Sequence, residues 1–349
     1  MRTVIVDIMG GDKAPLETLK GAALARQELS SDINYILVGN KAEIESVAAA
    51  NGIDLGGFEI VHAESTVTMD DDPISVVRGN KTDSSMAVGL KLLKEGRGDA
   101  MVSTGNTGAL FTGATLIVRK IKGVKRPAIA AMLPMANPLL LLDSGANIVT
   151  TPEYLEQFAI MGSVYMKKVM GVESPRVGLL NNGAEEHKGT ELQIETYKRL
   201  KANEGINFVG NVEGNTAVHG ACDVVVTDGF TGNIFLKTLE GFGKLVIGTL
   251  KATMYKSLKT KLAALVIKKD LGGMKKNFDS GEFGGAPILG ISKPVIKAHG
   301  SSNAKAIKNA IRQAIFFVNT GINDDIASFA LDYDDKKLLA DVEKMYDQP

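Results

Sequence analysis

Hydroxyl and glycine residues recur at one spacing in two places in this chain. Asp99–Gly108 reads DAMVSTGNTG and Asp223–Gly232 reads DVVVTDGFTG. Each phrase is an acid, a short apolar run, the pattern S/T-x-G-x-T-G, and then a segment with helical spacing. That order predicts a strand, a tight glycine turn and a helix start. Backbone N–H groups exposed at such a turn, with the positive end of a helix dipole, suit an anion. Two copies suggest an anion clasped from two sides.

The elements that must position these turns alternate along the chain. Val4–Asp7, Asn34–Val38, Phe58–His62, Ala100–Ser103, Ala128–Leu133, Leu139–Leu142, Arg176–Leu180 and Val224–Val226 read as strands, with late ones at Ile288 and Val295–Lys297. Segments of helical spacing separate most of them, for example Leu16–Leu29, Lys41–Ala50, Ala109–Ile121 and Ala304–Val318. This rhythm predicts an α/β fold, a mainly parallel sheet with helices on both faces, in one large domain spanning 1–349. Ligands of such sheets bind outside the carboxyl ends of the strands. Five donor-rich turns are therefore expected on one rim: Met9–Asp12, Ser103–Gly108, Asn181–Gly183, Thr227–Gly232 and His299–Asn303. Ordinary strand-to-helix connections also use glycine and Ser/Thr caps, which is the alternative for each turn taken singly.

Composition removes several classes of function. With 40 basic and 40 acidic residues the chain has no bulk charge for nucleic acid. The single cysteine, Cys222, permits no intramolecular disulfide and no thiolate metal cluster, and its place before an apolar strand suggests a buried thiol. There is no GxxxxGK(S/T), no GxGxxG after the first strand, no HExxH and no GxSxG. Met1 leads into TVIVDI, which is too short for a signal-peptide core. No apolar stretch approaches the ~20 residues that span a bilayer. A cytoplasmic location is expected. One stretch, at about 244–276, carries nine lysines and one acid, with apolar residues at roughly helical spacing. It reads as a basic amphipathic helical excursion. What remains is a site of N–H, hydroxyl and amide donors with Lys188 and His299 nearby, suited to phosphate or a phosphorylated small molecule.

At these phrases the chain resembles the bacterial phosphate acyltransferases of phospholipid synthesis, the PlsX type. The resemblance runs nearly end to end. It includes DIMGGDKAP at Asp7–Pro15 (Ile8 standing where the family often has alanine), MDDDPISVVRGNKTDSSM at Met69–Met86, STGNTGA, and LLDSGAN at Leu141–Asn147. LLNNGAEEHKG at Leu179–Gly189, VEGN at Val212–Asn215, TDGFTGN and KAHGSSN continue it. It implies transfer of long-chain acyl groups from acyl carrier protein to inorganic phosphate, giving acyl phosphate for a membrane-bound glycerol-3-phosphate acyltransferase. It implies a fold like the isocitrate/isopropylmalate dehydrogenases and phosphotransacetylases. It also implies a homodimer, with the basic stretch near the dimer interface and the membrane. No cofactor and no metal are expected.

The residues suit this chemistry. Phosphate is already a nucleophile, so the task is to hold it against a thioester and to stabilise an oxyanion. Ser103, Asn106, Thr107 and Thr231, with the N–H groups of Gly105 and Gly229, are expected to bind phosphate, and Lys188 to neutralise it in preference to His187. Asn233 or Asn182 would donate to the oxyanion, and His299 would carry a proton. Asp228 would orient Lys188 or His299, or else cap the following helix. Asp70–Asp72 would position Arg78 or Lys81, with a metal there as a lesser alternative. In the basic stretch, Leu258, Leu262, Leu265 and Val266 with Lys268 and Lys269 are the expected membrane and partner face. Competing readings are a metal-dependent dehydrogenase of hydroxy-acid phosphates, which NAD(P) calorimetry would reveal, a short-chain phosphotransacetylase turning over acetyl-CoA, and a non-catalytic membrane scaffold.

Overall fold

The computed structural model describes residues 1–135, 137–266 and 284–331. The chain divides into two compact units, one formed by residues 1–130, 160–173 and the described part of 283–349, the other by 131–159 and the described part of 174–282. Each has its own sheet, where one large domain was expected.

The first unit opens with β1 (Arg2–Asp7), α1 (Leu16–Glu28), β2 (Ile33–Gly39), α2 (Lys41–Ala50) and β3 (Phe58–His62). It continues through α3 (Ser85–Lys94), β4 (Ala100–Ser103), α4 (Thr107–Gly113), a π-helical turn (Ala114–Val118) and β5 (Ala128–Ile129). The chain then enters the second unit with β6 (Ala131–Leu133), β7 (Leu139–Leu142) and the start of α5 (Pro152–Met170). β8 (Arg176–Leu180), α6 (Glu191–Ala202), β9 (Asn207–Val212), α7 (Gly214–Ala217), β10 (Val224–Val226), α8 (Gly229–Met254) and α9 (Leu258–Val266) follow. β11 (Ala286–Leu289), β12 (Val295–Lys297) and α10 (Ala304–Thr320) return it to the first unit. The first sheet runs β3-β2-β1-β4-β12-β11-β5, parallel from β3 to β12, with β11 and β5 each antiparallel to the preceding neighbour. The second runs β6-β7-β10-β8-β9, parallel except for β6.

The central strands are buried on both faces, which is why they read as unbroken apolar runs: Val4–Val6, Leu139–Leu142 and Val224–Val226 are all buried. Capping side chains start the helices. Asn40, Ser84, Asn106, Asp228 and Asn303 each accept the backbone N–H three residues on, at 2.8–3.3 Å. α6 opens with a Thr190/Gln193 capping box. The acids that lead the two repeated phrases have a matching structural job. Asp99 accepts the Thr3 N–H of the neighbouring parallel strand at 2.8 Å, and Asp223 that of Arg176 at 2.8 Å.

Cys222 lies in the second unit's core with Leu141, Leu180, Val212 and Val225. Burial, reinforced by the Asp223 charge, pushes its thiol up to about 12. A disulfide-exchange reagent is expected to leave the folded chain unmodified and to release one equivalent after denaturation. Stoichiometric reaction with the native chain would show that the thiol is accessible.

Candidate active site

In the second unit, β7, β10 and β8 run parallel with Leu142, Val226 and Leu179 level. The loops that follow them, 143–147, 227–232 and 181–189, therefore leave one edge of the sheet. Asp143 is fully buried and organises the first loop. Its carboxylate accepts N–H groups from Gly145 (3.2 Å), Ala146 (3.1 Å) and Asn147 (2.6 Å), and the Asn147 side-chain amide (2.9 Å). The start of α8 presses on this turn. Gly229 N–H donates to the Asn147 carbonyl at 2.7 Å, and a β-carbon at Gly232 would lie 1.9 Å from the Asp143 carbonyl oxygen. Only glycine fits there. Asn233, one residue further and exposed, lies against Gly145: a β-carbon at Gly145 would come 3.4 Å from the Asn233 Cγ.

Lys188 closes the third loop. Its N–H donates to Glu185 O at 3.1 Å, and its carbonyl accepts the Asn181 amide at 3.0 Å. Its stem crosses Gly183, where a β-carbon would be 3.0 Å from Lys188 Cγ. Other cations of this unit are paired: Lys201 with Glu186 at 2.7 Å, Arg199 with Glu156 at 2.9 Å, and Arg176 with Asp223 at 2.8 Å. Lys188 is half-buried and forms no ion pair among the described residues. Asn182 beside it is exposed.

The first unit gathers its own loops after β1, β4 and β12. Asp7, buried at the end of β1, accepts the Ser103 hydroxyl at 2.7 Å, and Ser103 Oγ accepts the Gly105 N–H at 3.1 Å. Burial raises the Asp7 carboxyl above the usual range, against the lowering effect of the Ser103 hydrogen bond. Thr104 Oγ1 donates to the Gly10 carbonyl. Asp12 N–H donates to Gly300 O at 2.9 Å, and Lys13 Nζ to Ser301 O at 2.8 Å. Buried Lys297 donates to the Thr104 carbonyl at 3.4 Å. His299 is exposed and its Nδ1 accepts the Ser301 N–H at 3.2 Å, which leaves the ring proton on Nε2. In the 64–72 loop Asp71 lies 3.5 Å from Lys81 Nζ and also accepts the Thr68 N–H and hydroxyl, while Asp72 caps a short turn at Ile74 N and Arg78 is exposed.

Several expected phosphate donors are thus spent inside the protein. Ser103 gives its proton to Asp7, and Gly105 N–H goes to Ser103. Asn106 caps α4 and donates to the Thr68 and Met69 carbonyls at 3.1 and 3.3 Å. Gly229 N–H goes to Asn147. Thr231 and Asp228 satisfy each other: the carboxylate accepts Thr231 N–H at 2.8 Å and its hydroxyl at 2.7 Å, so Asp228 caps α8, the alternative expected for it. The repeated phrases also differ locally, because α4 starts at Thr107 and α8 two positions earlier in the pattern, at Gly229. The five turns lie on two sheets, three in the first unit and two in the second. Donors left open are Lys188, Asn182, Asn233, exposed Thr107 and, among the described residues, the N–H groups of Thr107, Gly108 and Phe230. Asp7, Asp143, Asn147 and Lys297 were missed as individual residues. An acid directly after a buried apolar run marks the first two.

Comparison with known proteins defines the class. A family model described as "Fatty acid synthesis protein" matches residues 2–325. A phosphate acyltransferase of Acetivibrio thermocellus is 47% identical over 324 residues, covering 93% of this chain and 95% of the relative. One from Oceanobacillus iheyensis is 45% identical over 325 residues, covering 93% and 96%. The crystal structure of a phosphotransacetylase from Streptococcus pyogenes aligns with a TM-score of 0.60 at 18% identity, covering 90% of this chain and 94% of that one, a likeness of fold. The chain is an α/β acyltransferase. More particularly, it belongs to the bacterial phosphate acyltransferase family that its sequence resembles.

Proposed function

We propose that this protein transfers a long-chain acyl group from acyl carrier protein to inorganic phosphate, releasing acyl phosphate for phospholipid synthesis. The observation that carries this reading, within the family assignment, is Lys188: a half-buried lysine with no counter-ion among the described residues, at the loop edge where Asn182 and Asn233 are also open. A phosphate oxygen attacks the thioester carbonyl, a C–O bond forms, and the C–S bond breaks to release the carrier thiolate. Lys188 holds the phosphate charge, and Asn233 or Asn182 donates to the tetrahedral oxyanion. Phosphate needs no activation by a serine or cysteine nucleophile, in keeping with the inert, buried Cys222. His299, protonated at Nε2, is the proposed proton carrier. The test is incubation with palmitoyl acyl carrier protein and phosphate, with mass spectrometry for acyl phosphate and free carrier. Phosphate-dependent appearance of both is expected. A folded protein giving neither would overturn the reading.

Assembly is proposed through α8. Among its described residues only Gly229 and Gly232 are buried, and beyond Glu240 it exposes Phe242 (63%), Leu245 (65%) and Val246 (40%). Such a surface suits a second copy of the chain. Phe242→Glu with Leu245→Glu is expected to convert a dimer to a monomer in sedimentation velocity. An unchanged sedimentation coefficient would exclude this face.

Membrane contact is proposed through α9. It carries Leu258, Leu262, Leu265 and Val266 with Lys259 and Lys261, and Leu262 is 65% exposed. Lys268 and Lys269, expected on the same face, lie outside the described residues, and no helix among those described is long and apolar enough to cross a membrane. Changing Leu262, Leu265 and Val266 to serine is expected to abolish co-sedimentation with anionic liposomes, and full retention of binding would rule the face out. Such contact would place the acyl phosphate beside a membrane-bound glycerol-3-phosphate acyltransferase.

A further inference from the structure

Arg119, Lys120, Lys122, Lys125 and Arg126 fall within eight residues, in a stretch with no acid between Asp99 and Asp143. They follow the π-helical turn 114–118, and Arg119, Lys120, Lys122 and Lys125 line an open pocket of about 530 Å³. Thr115, Leu116, Arg119, Lys122, Val124 and Lys125 line it. That volume falls within the range of small-molecule sites. The loop is built rather than loose. Arg119 is the one non-glycine residue at positive φ among those described, at 80°. Ser292 donates its N–H to Arg119 O at 2.9 Å and its hydroxyl to Val118 O at 3.0 Å, and Ile121 N–H reaches Gly290 O at 2.9 Å. The cations crowd one another. Lys120 Nζ donates to Lys125 O at 2.8 Å, and burial together with the Arg126 and Lys125 charges holds its amine below the usual lysine range. Arg119 and Lys122 form no ion pair among the described residues, and both are exposed.

Within the first unit this pocket lies at the opposite sheet edge from the loops after β1, β4 and β12. α4 leaves the carboxyl edge of the first sheet at Thr107, and the helical run carries the chain roughly 15 Å to the other edge. There β11, antiparallel to β12, delivers Gly290 and Ile291 to the loop. We infer that the 119–126 pocket is a second anion site, taking a soluble small molecule that carries two or more phosphate groups. The guanidinium matches a phosphate fork, the lysines supply point charges to its neighbours, and Leu116 and Val124 offer an apolar wall to an organic moiety. A bound anion there would pair with Arg119 and Lys122, which form no ion pair among the described residues. The inference rests on no step of the acyl transfer.

The experiment is calorimetric titration of the full chain with sodium tripolyphosphate at low and high NaCl, alongside phosphatidylglycerol vesicles. Expected are a binding event that survives Lys188→Ala, weakens at least about tenfold in Arg119→Ala with Lys122→Ala, and fades as salt screens it. Arg119→Gly with Lys122→Ala repeats the loss of charge with a residue at home at φ 80°, so a folding defect cannot stand in for lost binding. Equal affinity in both double variants overturns the site. So does loss of binding in Lys188→Ala alone, or a dependence on Arg119 seen only with vesicles.

Discussion

Lys188→Ala is expected to lower kcat/KM for phosphate by about 10²–10³-fold, the range seen when a preorganised donor to transition-state charge is removed. The lysine holds none of the fold's described ion pairs, and its backbone bonds to Glu185 and Asn181 survive truncation of the side chain. The melting temperature should therefore move by no more than about 2 °C. A loss confined to KM would mean that Lys188 binds phosphate and transition state alike, whereas a loss in kcat would place its charge on the developing oxyanion. Lys188→Arg should recover part of the rate, since charge is kept while the compact ammonium is replaced by a planar fork. Unchanged phosphate dependence in Lys188→Ala would remove the lysine from the mechanism.

Asp143→Ala should have the largest effect on stability, about 3–5 kcal/mol. Three backbone N–H groups and the Asn147 amide converge on this fully buried carboxylate, and truncation strips the acceptor from all four at once. The start of α8 rests on the same turn through the Gly229 bond to Asn147, so Asn233 should be displaced with it. Asp143→Asn retains an acceptor oxygen and should fall between alanine and wild type. Thermal unfolding checks both, and an Asp143→Ala protein melting within 2 °C of wild type would show that water can replace the carboxylate.

The alternation of strands and helices was legible because parallel strands buried on both faces read as plain apolar runs. The existence of two sheets was not. Ala128–Leu133 reads as one strand, yet β5 ends at Ile129 and β6 begins at Ala131 in the other sheet, with Ala130 bonded to Pro287 between them. An apolar run carries no mark of the residue at which it changes partners. The glycine phrases were legible as loops at carboxyl strand ends. Which of their donors stay open was not, because that depends on Asp7 for Ser103 and on Asn147 for Gly229, residues remote in sequence. It also depends on where each helix starts, and the capping side chain sits at different places in the two phrases, at Asn106 and at Asp228. Lys188 was singled out by its residue type and its neighbouring turn, and it forms no ion pair among the described residues, whereas Lys201, Arg199 and Arg176 are paired.

β12 lies between β4 and β11, inside the first sheet, although it is the last strand in the chain among the described residues. A ribosome has therefore delivered β1 to β4 long before the strand that covers the open edge of β4 emerges from the exit tunnel. Until then the nascent chain carries an unpaired apolar edge, the kind of surface that chaperones recognise and that seeds aggregation. Message fragments or stalled translation that end before Val295 should yield insoluble product rather than a smaller working unit.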